Sequence, residues 1–123
     1  MNTTDYTNDA VTLLKELIAI PSVSRNEDKA ADKLSEYLNL WGLPYGRDGN
    51  NLWVGCPDWD NNRPTIMLNA HIDTVKPVST WTRDPFLPTQ EGDMIYGLGS
   101  NDCGGGLVSL LQAYRIMLHR PRN

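Results

Sequence analysis

The chain has 123 residues, 40% of them hydrophobic and 21% charged, and 11 Lys and Arg against 15 Asp and Glu give a formal net charge of −4. That composition supports one small domain with its own core. A weakly acidic surface without a basic stripe argues against a nucleic-acid or anionic-membrane partner. Two cysteines, Cys56 and Cys103, make no disulfide framework. With no charged-then-apolar leader and no apolar run long enough to span a bilayer, the expected compartment is the reducing cytoplasm.

Residues 7–20 place Val11, Leu14, Leu17 and Ile18 at helical spacing, with Asp9 near the start and Pro21 as the stop, which predicts a short amphipathic helix. Pro21-Ser22-Val23-Ser24 is a turn. Asn26 is positioned to cap a second helix through Trp41, with Ala30, Leu34, Tyr37, Leu38 and Trp41 as its apolar stripe and Gly42 in the left-handed position after its end. Residues 43–47 and 52–56 predict two strands around Asp48-Gly49-Asn50-Asn51, a hairpin signal. Pro57 through Arg63 is a polar loop, with Trp59 folding back towards the sheet.

Thr65-Ile66-Met67-Leu68-Asn69-Ala70 is a nearly continuous apolar run of strand length, which predicts a central strand covered on both faces and ending at His71. Residues 76–88 form an irregular loop anchored by Trp81 and Phe86. Residues 86–89 and 94–96 pair around Glu91-Gly92-Asp93. A closing helix over residues 104–118 presents Leu107, Leu110, Leu111, Tyr114 and Met117. The basic cluster Arg115, His119, Arg120 and Arg122 sits in and beyond its last turn, where cations complement the helix dipole. The elements sum to an α/β fold, a mixed sheet flanked by helices, and in such sheets ligands sit beyond the carboxyl ends of the strands, where His71 falls.

Two short motifs carry chemistry. His71 and Asp73 are two residues apart, so in extended geometry they share a side, and the carboxylate can orient an imidazole that binds a metal. Gly97-x-Gly99-x-x-Asp102 lets the backbone fold tightly enough to aim a carboxylate inward. A dinucleotide fingerprint fails because Asp102 stands where glycine is needed, and a phosphate loop fails because Gly105 stands where lysine is needed. Cys103 has no base of its own and no companion cysteine, so it reads as a plain buried thiol. Trp41, Trp53, Trp59 and Trp81 lack interleaved basic residues and read as packing anchors. An imidazole and a carboxylate make half of a metal site.

His71-x-Asp73-Thr74-Val75, the segment Trp81-Thr82-Arg83-Asp84-Pro85-Phe86, and Ile95-Tyr96-Gly97-Leu98-Gly99-Ser100-Asn101-Asp102-x-x-Gly105-Gly106 together resemble the zinc-dependent amidohydrolases and exopeptidases. That family includes acetylornithine deacetylase, succinyl-diaminopimelate desuccinylase and related carboxypeptidases. The Pro21-Ser22-Val23-Ser24 turn fits it too.

The resemblance implies a two-zinc site, with cobalt or manganese as alternative metals, in which His71 binds one ion, Asp102 bridges both, and Asp73 is the active-site carboxylate behind His71. It implies no further cofactor-binding residues. Water activated by the metals and a glutamate would attack the amide carbonyl of a small N-acyl amino acid or peptide. Gly104 departs from the family, which often has lysine there. The general-base glutamate, the remaining ligands and a dimerisation domain are not among these residues. Residues 1–123 are therefore expected to be the amino-terminal part of a metallohydrolase catalytic domain, inactive alone, with homodimerisation of the full-length protein left open. The leading activity is deacylation of N-acetylornithine in arginine biosynthesis. The alternatives are a desuccinylase, dipeptidase or carboxypeptidase, or a non-catalytic interaction module that keeps the fold.

Overall fold

The computed structural model describes residues 1–120. Three helices and two hairpins follow in order: α1 Thr3–Ile18, α2 Asp28–Leu40, β1 Gly46–Asp48, β2 Asn51–Trp53, β3 Thr89–Glu91, β4 Met94–Tyr96, a wide helical turn at Ser100–Gly105, and α3 Gly106–Leu118. The fold is mixed α/β, with helices and short antiparallel strands.

The first helix starts earlier than the periodicity predicts because Asn2 and Asp5 form a reciprocal cap: the Asn2 side chain accepts from the Asp5 N–H and the Asp5 carboxylate accepts from the Asn2 N–H. The second helix begins at Asp28 after Glu27, and no side chain caps it. Asn26 lies one residue before that cap position, in the preceding turn, where its backbone N–H donates to Val23 O at 2.8 Å. Gly42 does take the left-handed conformation, with φ 68°.

The core is a helix layer. Leu13, Leu14 and Ile18 of α1, Leu34 of α2, and Leu107 and Val108 of α3 form its buried centre, with Ala70, Ile72 and Ile95 packed against the edge. The buried face of α3 is rotated from the expected one: Leu107, Val108, Gln112 and Arg115 are buried, while Met117 is 46% exposed. Arg115 lies on that buried face. Its guanidinium pairs with Asp9 at 2.8 Å and lies 4.1 Å from the centre of the Trp41 ring and 5.2 Å from that of Tyr6. The residue expected to be a solvated cation at a helix end is thus a buried link between α1, α2 and α3. His119 and Arg120 are exposed, and Arg122 lies outside the described residues.

Both hairpins form, each shorter than expected. β1 pairs antiparallel with β2 from Gly46 opposite Trp53 to Asp48 opposite Asn51, and β3 pairs with β4 from Thr89 opposite Tyr96 to Glu91 opposite Met94. The two hairpins are not joined into one sheet. The expected central strand at residues 65–70 is not assigned as a strand. No backbone hydrogen bond to another described residue is made from 64 to 70, and Ile66 and Met67 are 88% and 81% exposed. A strand exists through its ladder, and no neighbouring strand among the described residues supplies one. Trp59 is likewise exposed rather than packed, and its ring N–H donates to Thr65 Oγ1 at 2.9 Å. No helix among the described residues is long and apolar enough to cross a membrane.

Candidate metal centre

Pairing begins just past the bare run. Thr74 forms a single parallel bridge with Val23: its N–H donates to Ser22 O at 2.8 Å and its carbonyl accepts from Ser24 N–H at 3.1 Å. Ser22, which is buried, donates its hydroxyl to Ile72 O at 3.1 Å. The turn after α1 therefore fastens residues 72–74 and sets the direction in which His71 and Asp73 project.

The second half of the site comes from the turn before α3. Gly99 has φ 80°, and a Cβ there would lie 2.7 Å from the Thr74 methyl. Glycine is thus required both for the left-handed backbone and for the close approach of the two segments. The backbone leaves helical geometry at Asp102 and Cys103, joined by a cis peptide bond, before α3 starts. Gly104, the departure from the family pattern, has no room for a side chain: a Cβ would stand 2.6 Å from Gly99 O and 2.7 Å from Leu14 Cδ1.

These two segments bring His71 and Asp102 together across 31 residues. His71 Nε2 lies 3.0 Å from Asp102 Oδ1. The other ring nitrogen, Nδ1, is 3.1 Å from Asp73 Oδ1 and 3.0 Å from the Asp73 carbonyl oxygen. The arrangement is open to solvent: the side chains of His71, Asp73 and Asp102 are 51%, 38% and 87% exposed. Cys103, expected to be a buried thiol, is only half-buried, and its Sγ makes one weak contact, at 3.7 Å from His71 O. The cavity touching His71 has a volume of about 30 Å³ and is lined in part by Leu14, Ile18, Phe86 and Leu107. Ligand pockets usually enclose roughly 300–1,000 Å³, so this one admits no amide substrate.

Electrostatics follow the contacts. Partial desolvation pulls the His71 pKa down, but hydrogen bonds to Asp102 and to the Asp73 backbone, with the charges of both carboxylates, outweigh it and raise it above the ordinary value. Asp73 is held below the usual carboxylate range, first by the hydrogen bond from Ser24 and then by His71, against a smaller desolvation penalty. Ser24 was not singled out in the sequence for a role at the site. The only signal was its place in the Pro21-Ser22-Val23-Ser24 turn, and spacing does not tell which hydroxyl of a turn faces a distant carboxylate.

The donor chemistry suits a divalent ion of zinc type, because a neutral imidazole and a carboxylate are ordinary zinc ligands. The number of donors is short, since among the described residues no cluster of three or more His, Cys, Asp or Glu side chains is placed to hold a metal. His71 and Asp102 are two donors where tetrahedral zinc takes four.

Residues 67–123 match the model of peptidase family M20/M25/M40. The chain is similar to succinyl-diaminopimelate desuccinylase of Blochmanniella floridana, 30% identical over 120 residues that cover 92% of this chain and 31% of that protein. It is 32% identical to the desuccinylase of Coxiella burnetii (strain Dugway 5J108-111) over 114 residues, 86% of this chain and 29% of that protein. The desuccinylase of Anaplasma marginale (strain Florida) is 30% identical over 111 residues, 86% of this chain and 29% of the relative. The chain thus spans less than a third of the length of these relatives. These relatives are named desuccinylases, so the comparisons do not support the expected preference for N-acetylornithine.

Proposed function

With residues 67–123 matching peptidase family M20/M25/M40 as the premise, we propose that residues 1–123 contribute the amino-terminal part of a metallohydrolase catalytic domain that cleaves a linear amide bond. The observation that carries the reading is the 3.0 Å contact between His71 Nε2 and Asp102 Oδ1. It joins the imidazole of the first motif to the carboxylate of the second.

In this reading His71 and Asp102 would hold zinc, with cobalt or manganese as alternatives, and Asp73 would be the carboxylate behind His71. When bound, zinc supplies Lewis acidity to the amide carbonyl and to the attacking water. The chain's own residues set the geometry. The Asp73 carbonyl oxygen, with the Asp73 carboxylate beside it, accepts from His71 Nδ1–H, which fixes the tautomer whose Nε2 lone pair is free for an ion. Asp102, the most exposed of the three, is open to an ion arriving from solvent. Two donors are too few for tight binding. The 123-residue chain is accordingly expected neither to hydrolyse amides nor to bind zinc at micromolar affinity, which titration calorimetry checks directly.

The substrate class is a small N-acyl amino acid, in a cytoplasmic protein for which homodimerisation stays open. Similarity to desuccinylases favours a succinyl group on a diamino acid over the acetyl group of N-acetylornithine, with a dipeptide or peptide carboxyl terminus next. The test is hydrolysis of N-succinyl-diaminopimelate and N-acetylornithine by a protein carrying this segment together with the length its relatives have, with and without chelator. Metal-dependent cleavage of the succinyl amide, lost in His71→Ala and in Asp102→Ala, is expected. Cleavage that survives chelator or both substitutions refutes the assignment.

A further inference from the structure

The Asp73 carboxylate is gripped from two sides. Its Oδ1 faces His71 Nδ1 at 3.1 Å, beside the Asp73 carbonyl oxygen at 3.0 Å from the same nitrogen, and its Oδ2 accepts a hydrogen bond of 2.5 Å from the Ser24 hydroxyl, 49 residues away in sequence. A hydrogen bond to an ionised acceptor is shorter and stronger than one between neutral groups, and a carboxylate engaged through both oxygens cannot rotate about its last torsion without losing one of them. Ser24 is itself fixed. Its N–H donates to Thr74 O, and the chain reverses just beyond it, where Arg25 has φ 75° and Asn26 N–H returns to Val23 O.

The two serines of this turn are used differently. Ser22 is buried and donates to a backbone carbonyl, that of Ile72. Ser24 is exposed and donates to a side chain that bears on the imidazole. The first ties the segments together, and the second acts on the direction of one carboxylate.

We propose that Ser24 is a positioning residue for the His71–Asp102 pair: its hydroxyl clamps Asp73 in the orientation that holds the His71 ring by Nδ1 and thereby aims Nε2 at Asp102. Its relevance to catalysis rests on the metallohydrolase reading. The clamp is a property of the metal-free chain and is tested there.

The experiment uses the 123-residue chain with ¹⁵N-labelled histidine. Ring-nitrogen and ring-proton shifts of His71 are read at pH 5, where that ring is protonated, with His119 as the internal reference. In Ser24→Ala the Nδ1–H resonance of His71 is expected to move away from its hydrogen-bonded position towards that of a solvated ring, with the midpoint of thermal unfolding little changed. Ser24→Thr, which keeps the hydroxyl, restores it. Ser22→Ala lowers the midpoint but leaves the His71 resonances in place. Asp73→Asn moves Nδ1–H in the same direction as Ser24→Ala, and adding Ser24→Ala to it produces no further shift.

An unmoved Nδ1–H in Ser24→Ala overturns the inference. So does an equal shift in Ser22→Ala, because the turn as a whole would then be responsible. A Ser24→Ala shift with the expected pattern, in a protein of full relative length that hydrolyses no amide, supports the clamp and removes the metallohydrolase reading instead.

Discussion

Residues 64–69 and 71–74 are near neighbours in one stretch, yet the first makes no backbone hydrogen bond to a described residue and the second is tied to Ser22, Ser24 and Asp102. The apolar run ends with Ile66 and Met67 almost wholly in solvent and without backbone pairing to described residues. A few residues on, Ile72, Asp73 and Thr74 are each bonded to Ser22 or Ser24, and His71 is bonded to Asp73 and Asp102. Hydrophobic patterning tells which residues gain from burial, whereas a strand also needs a backbone partner for each N–H and C=O. The site side of the stretch finds its partners within this chain. The strand side finds none among the described residues.

The comparison is tested hardest at the tightest point of the fastened side. Gly104 sits where a methyl group would press on Gly99 O and Leu14 Cδ1, so Gly104→Ala must shift either the Gly99 turn or α1. Overpacking of this kind costs about 1–3 kcal/mol. The expected outcome is a loss of that size in denaturant unfolding, together with a changed His71 ring environment, because Gly99 and Asp102 belong to the same turn. A neutral Gly104→Ala would show that the two motifs meet more loosely than the 3.0 Å contact implies.

A smaller effect tests the charge side of the same contact. His71 has its pKa raised in the folded chain, so its contribution to stability is fully present below about 6.5, the ordinary histidine value, and is lost as pH rises through the higher folded value. Asp102→Asn removes one of the two carboxylates responsible. The substitution should lower the His71 pKa seen by NMR titration. The difference in unfolding midpoint between the original chain and the variant should be largest below pH 6.5 and close above it. Because Asp102 is strongly exposed, salt should reduce the effect. A midpoint difference that grows with rising pH contradicts the assigned contact.

Much of the fold was readable because local rules decided it. The amphipathic spacing of α1 and α2, Gly42 after α2, and the Gly49 and Gly92 turns needed no knowledge of the rest of the chain. At the site, His71 and Asp102 were readable as a pair only through their motifs, since nothing local requires two segments 31 residues apart to meet. What escaped depends on long-range packing. Arg115 looked like a helix-end cation, but Trp41, Tyr6 and Asp9 converge on it from two other helices, and the buried face of α3 includes it and Gln112. Ser24 escaped for the same reason: a turn serine gains its role from a carboxylate delivered by a distant segment.

The smallest expected effect lies on the bare side, and it is the most direct break point of the comparison. Ile66 belongs to a nearly continuous apolar run, where a sequence-based reading predicts a core strand and a cost of about 2–5 kcal/mol for Ile→Ala. At 88% exposure, the side chain has almost no contacts to lose, so Ile66→Ala should change the stability of the 123-residue chain by no more than about 0.5 kcal/mol. Amide exchange gives the matching backbone test: residues 65–70 should exchange close to the unprotected rate, while Thr74 and Ser24, bonded across the Val23–Thr74 bridge, should be slowed. An unpaired, uncharged run of this kind is also a template for association between chains, so both measurements belong at low concentration. If Ile66→Ala costs more than about 1.5 kcal/mol in a monomer, or the 65–70 amides are as protected as Thr74, the run has a partner within the chain and the contrast between the two segments fails.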